Sequence, residues 1–239
     1  AVFEQYVETM LQKLKADGLI GDTKSDLPFE SRFHEAAGTL AGRFGRSWRQ
    51  QIQSRALYDL HHTPGIADAM HQILGKDVLG HPVWNARPKL PSQQLTVVPW
   101  HQDSGYFGRE SETSNIITVW IPLVEVTPEN GALQVIPGSH RGGLAEHKQE
   151  TREGAFLEIA SEVDERQAVT CNMSPGDALV FGNLTYHRSL PGGSLPIRWS
   201  VDLRYYPAGD NMGSIKWPAA DFEWIIRSDT RAVTPYETF

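Results

Sequence analysis

Leu95-Thr-Val-Val-Pro-Trp100-His101-Gln102-Asp103 is an apolar run that ends on an imidazole and a carboxylate two positions apart. In extended backbone, positions i and i+2 face the same side, so His101 and Asp103 can converge on one ion at the end of that strand. Two ligands hold a catalytic metal poorly. A third is His187, which follows the run Ala178-Leu-Val-Phe181 in Gly182-Asn-Leu-Thr-Tyr-His187-Arg188. A strand there can run antiparallel beside the His101 strand across a barrel. Two histidines and a carboxylate on one face leave half of an octahedral shell open, the arrangement of non-haem iron(II) oxygenases. Zinc with the same donors and a water is the competing reading. A bare His-x-Asp also arises as a capped histidine followed by a turn aspartate, so the pair gains its meaning from its surroundings.

Outward from this stretch, short β-branched and aromatic runs stand between Gly, Pro and Asn signals. They are Val78–Trp84, Gln94–Trp100, Asn115–Leu123, Ala132–Ile136, Ala168–Met173, Ala178–Phe181 and Ile197–Tyr206. Ahead of them the period is helical. Phe3, Tyr6, Val7, Met10, Leu11 and Leu14 recur at three- and four-residue intervals up to Gly18; a second helical region spans Phe29 to Tyr58, with a break near Gly45; a third runs from Pro64 to Gly75. Strands after a helical front predict a mainly β sandwich or jelly roll with helices on one outer face. No Gly-rich first turn or strand–helix alternation points to a dinucleotide fold. The expected division of this single domain is a helical support over 1–75, a jelly-roll core over 76–210 and a covering tail over 211–239. Trp217, Phe222, Trp224 and Ile225 of the tail are read as packing in a short helix or covering segment.

The chain of 239 residues, 40% hydrophobic, can bury a real core without staples. Its one cysteine, Cys171, rules out an internal disulfide and is read as buried and inert. Twenty-two basic residues against twenty-nine acidic ones give a net charge of -7, which argues against nucleic acid as a partner. No stretch reaches the roughly 18 apolar residues of a membrane span, and no export signal is seen at the start. The expectations are a cytoplasmic location, no membrane and a small-molecule substrate, with the oligomeric state open.

With these motifs in order, the sequence resembles the phytanoyl-CoA dioxygenase family of iron(II)- and 2-oxoglutarate-dependent dioxygenases. The resemblance rests on Trp100-His-Gln-Asp103, Val119-Trp-Ile-Pro-Leu-Val124, Thr127-Pro-Glu-Asn-Gly-Ala-Leu133, Val135-Ile-Pro-Gly-Ser-His140, Pro175-Gly-Asp-Ala-Leu-Val-Phe181, and His187 with Arg198 and Tyr205. It covers about half of the chain and implies a cupin-like double-stranded β-helix with flanking N-terminal helices. It implies Fe(II) on His101, Asp103 and His187, 2-oxoglutarate as cosubstrate and dioxygen as oxidant. It further implies that Arg198, eleven residues after His187, meets the far carboxylate of the cosubstrate, as a rigid guanidinium fork can.

Ser200 shares the strand face of Arg198 and can add a hydroxyl; Thr118, Trp120 and Gln94 are further candidates for the cosubstrate pocket. Asp103 is intact where halogenating relatives carry glycine or alanine, so a hydroxylase or another oxidative variant is expected. Ser104–Glu110 is read as a lip over the metal, with Tyr106 and Phe107 packing on substrate and Arg109 or Arg188 meeting an anionic group. Asn130-Gly131 and Pro137-Gly-Ser-His140 are structural turns. His140 and His147 lack a carboxylate at i+2 and rank below the triad, His140 as a candidate for the substrate entrance. No basic cluster near the motifs awaits coenzyme A phosphates, so a small metabolite or natural-product intermediate is preferred. The alternatives are another cupin-type zinc or manganese enzyme and a non-catalytic small-molecule-binding jelly roll.

Overall fold

The computed structural model describes residues 2–38, 55–75, 77–89, 96–149, 156–193, 197–214 and 223–239. The front is helical. Helix α1 (Val2–Ala16) buries Val7, Met10, Leu11 and Leu14, one stripe at helical spacing. It ends where Gly18 takes φ +70°, a left-handed conformation that costs glycine little. Helices α2 (Phe29–Ala37), α3 (Arg55–His61) and α4 (Pro64–Leu74) follow. Pro64 opens α4, where its missing N–H is no loss, and Gly75 closes it at φ +64°. The expected break at Gly45 lies outside the described residues, as do Gln94, Trp217 and Phe222.

Strand β10 (Arg198–Pro207) is the axis of the molecule. Its residues alternate: Trp199, Val201, Leu203 and Tyr205 on one face, Arg198, Ser200, Asp202 and Arg204 on the other, all of them buried. The apolar face receives the helices. Ile197 and Trp199 cluster with α1 and α2; Val201, Leu203 and Tyr205 cluster with Leu57 of α3 and with Ala67 and Met70 of α4. Each such side chain contributes roughly 1.5–3 kcal/mol over its exposed state, so the helices seal one outer face of the sheet. The polar face looks the other way, and the site lies there.

Both edges of β10 are paired antiparallel. Strand β3 (Ile117–Pro122) lies along one edge; β2 (Asn85–Lys89) and β1 (Val78–Gly80) share the other. Beyond them lie β8 (Leu179–Gly182) and β11 (Ile225–Arg227), making a six-stranded sheet. A second sheet of three strands is ordered β7 (Val169–Cys171), β4 (Leu133–Val135) and β9 (His187–Ser189). Trp120 and Phe181 of the large sheet cluster with Leu133 and Ala132 of the small sheet's side, so the two share an apolar core. A hairpin of β5 (His147–Gln149) and β6 (Leu157–Ile159) lies apart. The result is a mixed α/β fold of the double-stranded β-helix kind with flanking N-terminal helices, rather than the mainly β molecule expected.

Three sequence readings need correction. Val78–Trp84 is not one strand: β1 stops at Gly80 and β2 begins at Asn85. The described part of Gln94–Trp100 forms no strand, because Pro99 has no N–H to extend a ladder; it runs beside β9 through Val98 O and the His101–His187 bridge. The tail, read as a short helix or covering segment, supplies the strand β11 and a single 3-10 turn at Tyr236–Thr238, and Trp224 packs as expected, fully buried against the α3 and α4 core. Among the described residues, no helix is long and apolar enough to cross a membrane.

Candidate metal centre

His101 and His187 exchange backbone hydrogen bonds at 3.0 Å in each direction, an isolated antiparallel bridge that places both rings side by side. Gln102 is extended (φ -117°, ψ 143°), so Asp103 faces the same side as His101 although it begins a short helix, α5 (Asp103–Phe107), instead of sharing a strand. Ligand atoms of His101, Asp103 and His187 lie within 4.8 Å of one another, and all three residues are buried. Each imidazole has its Nδ1 2.9 Å from a carbonyl two residues earlier, Pro99 O for His101 and Thr185 O for His187. A carbonyl only accepts, so Nδ1 carries the proton and Nε2 keeps its lone pair for the centre.

Electrostatics hold the ligands deprotonated. Burial, and then the neighbouring His187, push the His101 pKa well below its ordinary value; burial also lowers His187. Burial alone would raise Asp103, but Arg204 and His187 outweigh it and hold the carboxyl far below the usual range. Two neutral imidazoles of fixed tautomer and one carboxylate fit a divalent transition metal with open positions.

Asp103 is clamped from behind. Arg204 donates through Nε to Oδ2 (2.9 Å) and through Nη2 to Oδ1 (2.8 Å), and the Thr118 hydroxyl donates to Oδ2 at 2.5 Å. Arg204 Nη1 donates to Asp202 Oδ2 at 2.7 Å, and Asn85 donates to the same oxygen at 2.6 Å. Thr118, expected at the cosubstrate, thus serves the metal carboxylate. Between the ligands, Gln102 is fully buried. Its amide donates to Gly143 O and Leu184 O and accepts from Ala145 N, all at 2.8 Å, tying the His101 segment to two loops. His147 accepts from Gln102 N at 3.1 Å and so supports this segment, while His140 is exposed.

Along the same face of β10, Arg198 is 2% exposed. It donates to Gly131 O at 3.1 Å and lies over the Trp120 ring, 5.2 Å from its centroid. Among the described residues its Nε, like the Ser200 hydroxyl, is buried without a hydrogen-bond partner. Burial and the nearby Arg87 charge pull the Arg198 pKa down to about 9, the mark of a cation buried without a counter-anion. Gly131, in the left-handed region at φ +93°, leaves room for the Lys89 stem that a Cβ would fill. Its turn therefore shapes the pocket as well as the chain. Arg198 and His187 stand on different sheets, because β9 belongs to the small sheet and β10 to the large one.

The expected lip differs. Tyr106 is partly buried, edge-on to His101 with ring centroids 5.6 Å apart, and its hydroxyl accepts from Leu157 N at 2.9 Å. Phe107 is 1% exposed, packed on His81 and beneath Arg204; it is core rather than lip, since α5 turns it inward. Arg188, one residue past a ligand on β9, points to the opposite face, where Glu165 takes it with two bonds of 2.7 Å. Arg109 is exposed in the turn after α5. Cys171 is half-buried, and burial pushes its thiol up.

Sequence reading missed Arg204, Asp202, Asn85, Arg87 and Lys89. For the first two the signal was present in the strict alternation of Arg-Trp-Ser-Val-Asp-Leu-Arg-Tyr. The other three lie on β2, where Pro88 disguises a strand; β10 is its one partner among the described residues, and proline is tolerated at such an edge.

A family model described as phytanoyl-CoA dioxygenase (PhyH) matches residues 4–198. The chain is 28% identical over 222 residues to the 1-deoxypentalenic acid 11-beta-hydroxylase of Streptomyces arenae, covering 86% of this chain and 73% of that one. Among solved structures, the apo non-heme monooxygenase ThoJ superposes with a TM-score of 0.64 at 22% identity, covering 98% of this chain and 80% of the other. EvdO2 from Micromonospora carbonacea var. aurantiaca, complexed with 2-oxoglutarate, gives 0.53 at 25% identity, covering 71% and 66%.

Proposed function

The chain belongs to the phytanoyl-CoA dioxygenase family of iron(II)- and 2-oxoglutarate-dependent oxygenases, and from that premise we propose that it hydroxylates a small metabolite or natural-product intermediate. His101, Asp103 and His187 hold Fe(II). Arg198 takes the far carboxylate of 2-oxoglutarate, with Ser200 as a second donor. The observation that carries this reading is the buried pair of unpartnered donors, Arg198 Nε and Ser200 Oγ, on the strand that also clamps Asp103. An anion there satisfies both. The alternative, a cupin-type zinc or manganese enzyme indifferent to 2-oxoglutarate, does not call for such a receptor.

Bound iron supplies the reduction of dioxygen, coupled to the conversion of 2-oxoglutarate to succinate and carbon dioxide. The chain's share is positioning and shielding. Arg204 and Thr118 fix the orientation of Asp103. Trp120, 3% exposed, lies along Arg198 and keeps water from the ion pair, which strengthens it. Hydroxylation is favoured over halogenation because Asp103 occupies the position a halide would need. The finer architecture is proposed as a jelly roll closed over this site by its two sheets.

The test is an anaerobic titration of the apo-protein with Fe(II) and then 2-oxoglutarate, following the visible charge-transfer band of the chelate. The band should form in wild type, be lost in His187→Ala, and need about tenfold or more additional cosubstrate in Arg198→Ala. Folded, iron-loaded wild type without a band would refute the reading.

A further inference from the structure

The inner face of the large sheet carries more positive charge than the metal and its cosubstrate consume. Among the described residues on that face, Arg87, Lys89, Arg198 and Arg204 stand against Asp103 and Asp202. A ferrous ion and a 2-oxoglutarate dianion cancel each other, so two positive charges are left over. Three of the four cations are held. Arg204 is bound by both carboxylates, Lys89 donates to Ser189 Oγ at 2.8 Å, and Arg198 is buried under the cosubstrate assignment.

Arg87 differs. It pairs with Ser200 across β2 and β10, so its side chain emerges on the site face between Arg198 and the Asp202–Arg204 pair. Its side chain is 38% exposed, while its strand neighbours Ala86 and Pro88 are buried. Its ion-pair contact among the described residues is weak: Nε lies 3.4 Å from Asp202 Oδ1, whose partner oxygen already serves Arg204 and Asn85. Its charge also acts on the neighbouring Arg198, lowering that group after burial.

We propose that Arg87 is the substrate-anchoring residue, and that the substrate is an organic acid whose carboxylate pairs with this partly exposed guanidinium on the site face of the large sheet. This rests on the oxygenase reading above. The guanidinium fork matches a carboxylate with two parallel hydrogen bonds, and the surplus charge of the face favours an anion over a neutral or cationic substrate. Tethered at Arg87, the rest of the molecule is held over the open side of the triad, and its body sets which carbon is presented.

The experiment uses the same anaerobic Fe(II)–2-oxoglutarate complex, now titrated with a panel of alicyclic and linear carboxylic acids and, in parallel, with their primary amides. Binding is read as a shift of the charge-transfer band, in wild type, Arg87→Met and Arg87→Lys. At least one acid should shift the band where its amide does not. Arg87→Met should weaken that acid by about tenfold or more while leaving the 2-oxoglutarate requirement within about twofold, and Arg87→Lys should recover part of the loss. A panel in which no acid outbinds its amide, or an acid that binds Arg87→Met as well as wild type, overturns the proposal with the oxygenase reading intact. Absence of the band in wild type overturns that reading first, and this one with it.

Discussion

At the residue scale, the centre depends on a side chain that touches no metal. Arg204 meets both oxygens of Asp103 and spans to Asp202, all of them buried. It keeps the carboxylate ionised and fixes which oxygen faces His187. Arg204→Met should lower Fe(II) affinity by about tenfold to a hundredfold, the usual cost of losing a partner behind a ligand. Arg204→Lys, with charge but no fork, should fall between. Metal titration against a chromogenic chelator checks this, and unchanged affinity in Arg204→Met would mean that Thr118 orients Asp103 unaided. The same variant strands two buried carboxylates, so a stability loss of roughly 3–5 kcal/mol is expected in urea unfolding of the apo-protein. The triad was legible because its members sit in local motifs, and Arg198 was picked out by the family resemblance those motifs carry. Arg204 was not singled out, although its alternation with Ser200 and Asp202 was visible, because an arginine has no partner until a fold supplies one.

At the element scale, α3 carries an acid sensitivity. His61 is fully buried among Trp84, Tyr205 and Trp224, its Nδ1 bonded to Leu57 O at 3.0 Å and its Nε2 without a partner among the described residues. Burial depresses its pKa from 6.5 to about 3. Between those values the unfolded chain binds a proton that the native chain does not. Stability therefore rises with pH across this window and is lost as pH falls from about 6.5 toward about 3, at up to about 1.4 kcal/mol per pH unit. His61→Phe should flatten that slope, measured as urea midpoints from about pH 7 to about pH 4; an unchanged slope would assign acid unfolding to other groups. Elements with a clean period, α1, α4, β3 and β10, were readable. Strand β2 was hidden by Pro88, the strand expected near His187 is the short β9, and Leu95-Thr-Val-Val98 gave Gln94–Trp100 the look of a strand that Pro99 interrupts.

At the scale of the whole molecule, the site is a seam between two sheets. His187 comes from β9 in the small sheet, Arg204 and Arg198 from β10 in the large one, and Asp103 from the α5 start, tied in by Gln102. Ligation should therefore stabilise the entire fold. Mn(II) with 2-oxoglutarate at a hundredfold excess over Kd adds about 2.7 kcal/mol by mass action, or roughly 2–4 °C in Tm for each kcal/mol in a chain of this size. His187→Ala should lose this shift in a thermal melt; an equal shift in that variant would place the binding elsewhere. The amino-acid sequence by itself determined the helical front and the β-rich remainder, because period and spacing act over a few residues, and it held the three ligands in motifs whose family resemblance also implied Arg198 for the cosubstrate. Only the tertiary structure decided that Asp103 answers to Arg204, 101 residues away, that Phe107 is core and Arg188 faces outward, and that Arg87 emerges on the same sheet face as Ser200 and Asp202. Strand register and sheet membership set these pairings, and both are properties of long-range contacts that no local stretch contains.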